Sequence, residues 1–305
     1  MGRPVSLLAA ASLIVDYVLT VAVSLAAGAA SLASAFPVLS DHLLAVCLIA
    51  LAVITAVNLR GIADSARVLL LPMALFVISV ISVIVVGLFR SQPSATVGTH
   101  ESFPAVEALG VLLVLKAFSA GCSALTGVEA IANSVPMFRR PRVRRAQHTE
   151  LLLGLLLGAM LIGLSLAIRR HHVVPRGGVT LLAQLTAGAF GTGWVYYAIT
   201  LVITLVLGIA ANTSFGGLPV LMSLLAKDDR LPHMFALRSE RPVHRWGVAA
   251  LAVLAAVLLI IVSADTQRLI PLYAIGVFVG FTISQTGLVR HWISQRPGVW
   301  CPGHW

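Results

Sequence analysis

Eight long apolar runs, separated by short polar loops, constrain this chain more than any other feature. They lie at residues 5–36, 43–58, 66–90, 106–137, 149–168, 194–226, 247–263 and 269–291. A helix needs about 20 mostly apolar residues to cross the roughly 30 Å hydrocarbon core of a bilayer. Only 10% of the residues are charged, whereas soluble domains carry about 25%. We therefore predict an all-α membrane protein with about eight transmembrane helices.

The basic residues are distributed unequally between the two sides of these runs. If the N-terminus is cytoplasmic, 15 of the 21 Lys and Arg residues lie inside and five lie outside. This is the positive-inside bias, and it predicts a multi-pass protein of the cell (plasma) membrane with a cytoplasmic N-terminus. The net charge of +10 is then explained by topology and contact with the lipid bilayer, and it does not indicate nucleic-acid binding. We interpret the basic run 139–145 as an anchor near anionic lipid.

An acidic residue stands in the middle of the first apolar run. Asp16 lies about 11 residues into the run, close to the predicted centre of the membrane. Thr20 and Ser24 follow at four-residue intervals, so the three oxygen-bearing side chains share one helix face. A charge at this depth costs about 2.5–3.5 kcal/mol on insertion scales and favours a functional role. The pattern suits a dehydrated cation or a proton; alternatively, the two hydroxyls bond back to helix carbonyls.

The fourth run contains residues that interrupt a helix near its middle. Gly121, Ser123 and Gly127 weaken the helix there, and Thr126 and Glu129 lie at the same place. Transporters use such breaks to present helix ends and carbonyls to substrates and ions. We therefore predict one discontinuous helix, the alternative being a small-residue packing face. For Lys116, in the same run, two interpretations remain open: it is part of the site, or its long side chain extends to the membrane interface.

Other chemistries find little support in the sequence. It contains no Walker loop, no nucleophile–base pair and no cluster of metal ligands, so we predict neither an enzyme nor a cofactor. The pair His171–His172 is interpreted as solvated rather than as a metal site. Residues 212–214 (NTS) are interpreted as a bend or as helix–helix hydrogen bonding rather than as ligands.

Five segments carry a resemblance to a known family. They are 12–24 (SLIVDYVLTVAVS), 58–61 (NLRG), 125–131 (LTGVEAI), 210–215 (AANTSF) and 270–278 (IPLYAIGVF). The chain resembles permeases of the amino acid–polyamine–organocation (APC) superfamily, in the KimA-like branch of potassium/proton symporters. Members of this branch are commonly labelled amino acid permeases.

The resemblance implies a LeuT/APC-like helical bundle with inverted repeats and secondary active transport of potassium coupled to protons. Carried over position by position, it implies a potassium path lined by Asp16, Thr20, Ser24, Thr126, Glu129 and Tyr273. It also implies a homodimer. Amino acid transport is the alternative within the same superfamily.

The likeness covers residues 2–292, which correspond to helices three to ten of the fold. We therefore predict a transporter core at 1–292, an incomplete inverted repeat and a short tail at 293–305 that does not resemble the family. The cytoplasmic domain that binds cyclic di-AMP in the family is not part of this sequence. A truncated, non-transporting remnant is the remaining alternative.

Overall fold

A computed structural model describes residues 3–61, 66–90, 92–98, 110–122, 135, 138, 140–235 and 245–294. The helices in these ranges are α1 (Arg3–Ala35), α2 (Leu43–Leu59), α3 (Ala66–Phe89), α4 (Val111–Cys122), α5 (Arg142–Arg170), α6 (Leu181–Phe190), α7 (Trp194–Lys227), α8 (Arg245–Val262) and α9 (Thr266–Ser294). Short 3₁₀ segments at Pro37–His42 and His233–Phe235 join some of them.

Seven of the described helices are long and apolar enough to cross a membrane: all except α4 and α6. The prediction of an all-α membrane protein is confirmed. The fourth predicted span is described only over α4, so the predicted break with Thr126 and Glu129 lies outside the described residues. The short apolar helix α6 was not predicted from the sequence. Its N-cap is Thr180, whose Oγ1 accepts a hydrogen bond from the Ala183 N–H at 3.3 Å.

Helix α1 lies at the centre of the bundle. It packs against α2, α6, α7, α8 and α9, and its most extensive contacts are with α7 and α9. Small residues at regular spacing form much of its buried surface, namely Ala22, Ala26, Ala29 and Ala33. Small side chains let neighbouring helices approach closely, which is how packing stabilises helices in lipid. The buried residues of α1 lie at 18–35, after Asp16, and this second half of the helix packs most closely against its neighbours.

Two groups of buried side chains hold the bundle together. The larger combines residues from α1, α2, α7, α8 and the start of α9, with Leu218, Leu251, Leu259 and Leu269 fully buried. The smaller joins α3, α5, α6 and α7 through residues such as Val83, Ala167 and Ile203. Helix α7, which packs against α1, thus contributes residues to both groups.

The end of α1 is fixed to α6 and α7 by hydrogen bonds through Ser34. The Ser34 hydroxyl accepts from the Thr180 N–H at 3.0 Å, and the Ser34 carbonyl accepts from the Tyr196 hydroxyl at 2.8 Å. Helix α6 ends at Gly191, whose φ of +77° suits a residue without a side chain. We call this end of the bundle, where α1, α3 and α5 finish, the outer end, following the orientation predicted from charge.

Candidate functional site

The Asp16 side chain lies in a small cleft between α1 and α9. The cleft has a volume of about 20 Å³ and is lined by Ser12, Leu13, Asp16, Gly276, Val277, Gly280 and Phe281. Asp16 as a whole is half-buried, and its Oδ1 atom is inaccessible to solvent. A space needs about 10–15 Å³ to hold one water molecule. The cleft therefore has room for a particle of the size of one water molecule beside the carboxylate.

Two glycines of α9 make this cleft possible. A Cβ at Gly276 would lie 3.2 Å from Leu19 Cδ1, and a Cβ at Gly280 would lie 3.8 Å from Ser12 Oγ. Helix α9 thus approaches α1 closely where it carries no side chain. Gly276 and Gly280 have the four-residue spacing of the GxxxG packing motif. The sequence interpretation missed this motif, although the spacing in an apolar run could have revealed it.

Tyr273 is on the same face of α9 as the two glycines. Residues 273, 276 and 280 are separated by three and four positions, which places them along one stripe of a helix. Tyr273 is half-buried and lies about one turn from Gly276, toward the outer end. Because Gly276 contacts Val15 and Leu19, Tyr273 falls near the level of Thr20 on the antiparallel helix α1. Thr20 and Tyr273 therefore lie at about one level of the seam between α1 and α9, one turn outward from Asp16, and neither of them lines the Asp16 cleft.

The contacts between α1 and α7 add a buried hydroxyl at the level of Thr20. A Cβ at Gly217 would lie 2.6 Å from the Tyr17 ring, and one at Gly28 would lie 3.5 Å from Leu207 Cβ. The helices are antiparallel, so Thr20 and Ser214, each three residues from the Tyr17–Gly217 contact, lie at the same level. Ser214 is only 1% exposed, and its hydroxyl has no hydrogen-bond partner within the described ranges.

Two hydroxyls of α1, those of Thr20 and Ser24, differ from others in the described helices, including those of Ser12 and Ser34 in α1 itself. Ser34, Thr55, Ser82 and Thr186 each donate a hydrogen bond to the carbonyl four residues earlier. Across the part of the chain that the structure describes, Thr20 and Ser24 form no such bond. Ser24 lies one further turn along α1, is half-buried and does not line the Asp16 cleft.

Asn212 has the structural role expected from the sequence. Its Oδ1 accepts a hydrogen bond of 2.6 Å from Asn58 Nδ2, which also donates to the Ile54 carbonyl at 2.9 Å. The bond joins α2 to α7, so helix–helix hydrogen bonding at Asn212 is confirmed. The predicted partners Thr126 and Glu129 belong to residues outside the described ranges, and no geometry is assigned to them.

The seam offers oxygen atoms in an apolar environment. Asp16 supplies a carboxylate, Thr20 and Ser214 supply hydroxyls, and Tyr273 supplies a phenol. Potassium channels bind their ion by replacing its hydration shell with protein oxygens. No group of three His, Cys, Asp or Glu residues able to hold a metal ion occurs among the described residues. A single carboxylate beside a cleft of about 20 Å³ is chemically suited to a monovalent cation or a proton.

The fold and this seam define an all-α, multi-pass membrane protein with a carboxylate between its central helices. The family model of the amino acid permeases matches residues 1–304. The chain is 41% identical over 308 aligned residues to the potassium transporter KimA of Bacillus subtilis (strain 168), an alignment that covers 98% of this chain. The chain belongs to the amino acid permease family.

The same alignment covers 50% of the Bacillus subtilis protein, so this chain spans about half the length of that relative. The family resemblance predicted from the sequence is confirmed, and both the matching family and this relative are named as transport proteins. A multi-pass membrane location is confirmed as well.

Proposed function

We propose that this chain forms the ion-binding core of a proton-coupled potassium importer. One observation carries the proposal: the Asp16 carboxylate reaches into a cleft of about 20 Å³ between Gly276 and Gly280. A space of this size excludes an ordinary amino acid but accommodates an ion about as large as a water molecule. The similarity to a potassium transporter supports the same cation.

The environment of Asp16 explains why a cation and a proton would both act there. A carboxylate in a low-dielectric environment is costly unless a cation or a proton neutralises it. Exchange of the two at one carboxylate would couple their movements. In this proposal Thr20, Ser24 and Tyr273 supply further oxygens from α1 and α9, and Thr126 and Glu129 join them from the fourth span.

An amino acid is the second candidate substrate, because the matching family is that of the amino acid permeases. An amino acid permease binds a substrate carboxylate with donor groups or a basic side chain. None of the described residues that line the Asp16 cleft is basic. This charge pattern favours the cation.

The test is uptake of potassium or its tracer rubidium by a potassium-import-deficient bacterium that expresses the chain. The wild-type chain is compared with Asp16→Asn and Glu129→Gln, and the matched control is Asp41→Asn. Asp41 is an exposed acid in the 3₁₀ segment Pro37–His42. We expect rubidium uptake in the wild type and in the control variant. Uptake should fall by at least about tenfold in both site variants, and a protonophore should abolish it in the wild type.

Three outcomes would overturn the proposal. No uptake by a chain that is present in the membrane would favour the non-transporting alternative. Unchanged uptake in Asp16→Asn would remove this carboxylate from the ion path. Asp16-dependent uptake of a labelled amino acid, with no rubidium uptake, would establish the amino acid alternative.

Orientation and assembly are part of the same proposal. The predicted cytoplasmic N-terminus rests on the distribution of Lys and Arg and is tested by accessibility of an N-terminal tag in intact cells. A homodimer, implied by the resemblance, is tested by the mass of the purified protein in detergent.

A further inference from the structure

A larger cavity lies at the outer end of the bundle, separate from the Asp16 cleft. Its volume is about 70 Å³. Its walls come from the segment 92–98, from the connection between α5 and α6, and from α6 itself. None of its lining residues is shared with the Asp16 cleft, so the proposed potassium path does not account for it.

Gln184 of α6 lines this cavity with a buried amide. Only 8% of the residue surface is exposed. Its Nε2 atom is fully buried and has no hydrogen-bond partner in the part of the chain that the structure describes. A buried donor left without an acceptor is costly, and native structures rarely leave one. The amide therefore points to an occupant that offers a lone pair.

Arg176 is the charged residue in the described lining of the cavity, which also includes His171 and His172 and no acidic residue. His171 was interpreted from the sequence as part of a solvated pair, but it is half-buried and bonded. Its Nε2 donates to the Gly87 carbonyl at 2.6 Å, since a carbonyl oxygen only accepts. A recess lined by one sign of charge concentrates counter-ions.

Arg176 keeps most of its donors for another partner. Its Nη1 makes one long hydrogen bond, 3.4 Å, to the Val97 carbonyl, and a guanidinium has five N–H donors. A second arginine, Arg90, donates a hydrogen bond to the Ala189 carbonyl at 2.6 Å. Ala189 directly follows Gly188, which lines the cavity. The recorded acceptors of both arginines are neutral carbonyl oxygens, which provide no counter-charge.

The walls of the cavity are fixed by backbone contacts. The Ser94 N–H donates to the Gly188 carbonyl at 2.8 Å, which ties the segment 92–98 to α6. Gly98, with a φ of +97°, allows that segment to pass Arg176, because a Cβ there would lie 3.0 Å from Arg176 Cβ. The cavity is therefore a formed space between the segment 92–98, the α5–α6 connection and α6.

The geometry points to a binding site for a small inorganic anion, such as chloride, held by the Gln184 amide and the Arg176 guanidinium. Water could accept from Gln184, but it would leave Arg176 without a counter-charge. The volume allows a halide with a few water molecules or a small oxyanion. Because the cavity joins the segment 92–98, the α5–α6 connection and α6, the anion stabilises the outer end of the bundle and takes no part in potassium chemistry.

The test measures thermal unfolding of the purified chain in detergent at constant potassium and constant ionic strength. Potassium chloride replaces potassium gluconate in one series, and potassium phosphate does so in another, to separate a halide from an oxyanion. A ligand bound only to the folded state raises the Tm, and above its Kd the rise grows with the logarithm of the ligand concentration. We expect a rise of about 2–4 °C with at least one of the two anions.

The variants are Gln184→Met, which keeps the side-chain length, and Arg176→Gln. The matched control is Arg170→Gln, an exposed arginine at the end of α5 that does not line the cavity. The Tm rise should persist in the control and disappear in both cavity variants. An equal Tm rise in the wild type and all three variants, or no Tm rise with either anion, would contradict the proposed anion site.

Anomalous scattering in a crystal of the wild-type chain grown in bromide provides a second measurement that requires no variant to fold. A bromide peak beside Gln184 and Arg176 supports the proposal, and a cavity filled by water alone contradicts it. Neither measurement depends on potassium uptake, so this proposal and the proposed function can fail separately.

Discussion

The Tyr17 ring lies directly against Gly217, where a single methyl group on the glycine would come within 2.6 Å of three atoms of the tyrosine. This contact joins α1 to α7 and sets their register. It is the reason that Thr20 and Ser214 lie at the same level, next to the Asp16 seam. The position of a glycine in α7 thus determines which residues of α1 and α7 lie at the same level.

Substituting Gly217 tests this contact. We expect Gly217→Ala to lower stability by about 1–3 kcal/mol, because the new methyl group overlaps the ring of Tyr17 and forces the packed helices apart. The measurement is thermal unfolding in detergent, with rubidium uptake in parallel. Gly216→Ala is the matched control, since a Cβ there meets nothing within 4 Å. The control should be neutral or more stable by up to about 1 kcal/mol, and equal losses in the two variants would contradict the contact.

Alanine substitutions at two other crowded glycines should lower the free energy of unfolding by different amounts. A Cβ at Gly247 would lie 2.7 Å from the Pro219 Cα, whereas one at Gly163 would lie 2.7 Å from the Ile84 Cγ2. Backbone of a packed helix cannot move aside, but an isoleucine side chain can change its rotamer. We expect Gly247→Ala to cost about 1–3 kcal/mol and Gly163→Ala to cost less than about 1 kcal/mol.

Thermal unfolding of these two variants is compared with that of Gly208→Ala, whose Cβ would have open space. A larger loss for Gly163→Ala than for Gly247→Ala would show that α3 and α5, rather than α7 and α8, are the more rigid pair.

The hydrogen bond between Asn58 and Asn212, 2.6 Å long, should couple α2 to α7. We predict a coupling energy of about 0.5–1.7 kcal/mol in a double-mutant cycle of Asn58→Leu and Asn212→Leu, the range found for such bonds between membrane helices. Each variant and the pair are unfolded under the same conditions. Strictly additive losses would mean that the bond contributes nothing to holding the two helices together.

Cys47 should report unfolding of the bundle. Its side chain is fully buried, and its Sγ lies 3.6 Å from the Leu25 carbonyl. In a background with Cys122→Ser and Cys301→Ser, Cys47 is the only thiol of the three in the chain. We expect its reaction with a maleimide to be at least about 100-fold slower in the folded protein than in denaturant, because labelling requires opening of α1 and α2. Fast labelling under native conditions would contradict the close packing of these helices.

Most of the fold could be predicted from the sequence because a bilayer allows few solutions. Every backbone group must be satisfied within its own segment, so a long apolar run becomes a helix. Runs such as 43–58 and 194–226 therefore correspond closely to α2 and α7. Helix α6 was not predicted because its ten residues are too few to span a membrane. Its position depends on hydrogen bonds that involve Ser34 and Tyr196, and Ser34 is distant from α6 in sequence.

The site was predictable in part. Asp16 stands out in the sequence because ionisable residues at that depth are costly. Tyr273 was found only through the family resemblance, since the sequence pattern does not distinguish it from any other aromatic residue in an apolar run. Ser214 was assigned a structural role, because its level relative to α1 depends on the packing of α7. Gly276 and Gly280 were overlooked although their spacing is visible in the sequence, and only the structure shows that they pack against α1.

The sequence by itself determined that the chain is a bundle of membrane helices, that its family is one of transporters, and that Asp16 is its most informative residue. Hydrophobic length, charge placement and the cost of a buried charge are local properties, and each can be evaluated along a single segment. Only the tertiary structure decided which helices surround Asp16, how small the cleft beside it is, and that Gln184 and Arg176 share a second cavity. Those features depend on the register between helices, which close contacts such as that of Tyr17 with Gly217 fix between residues far apart in the chain.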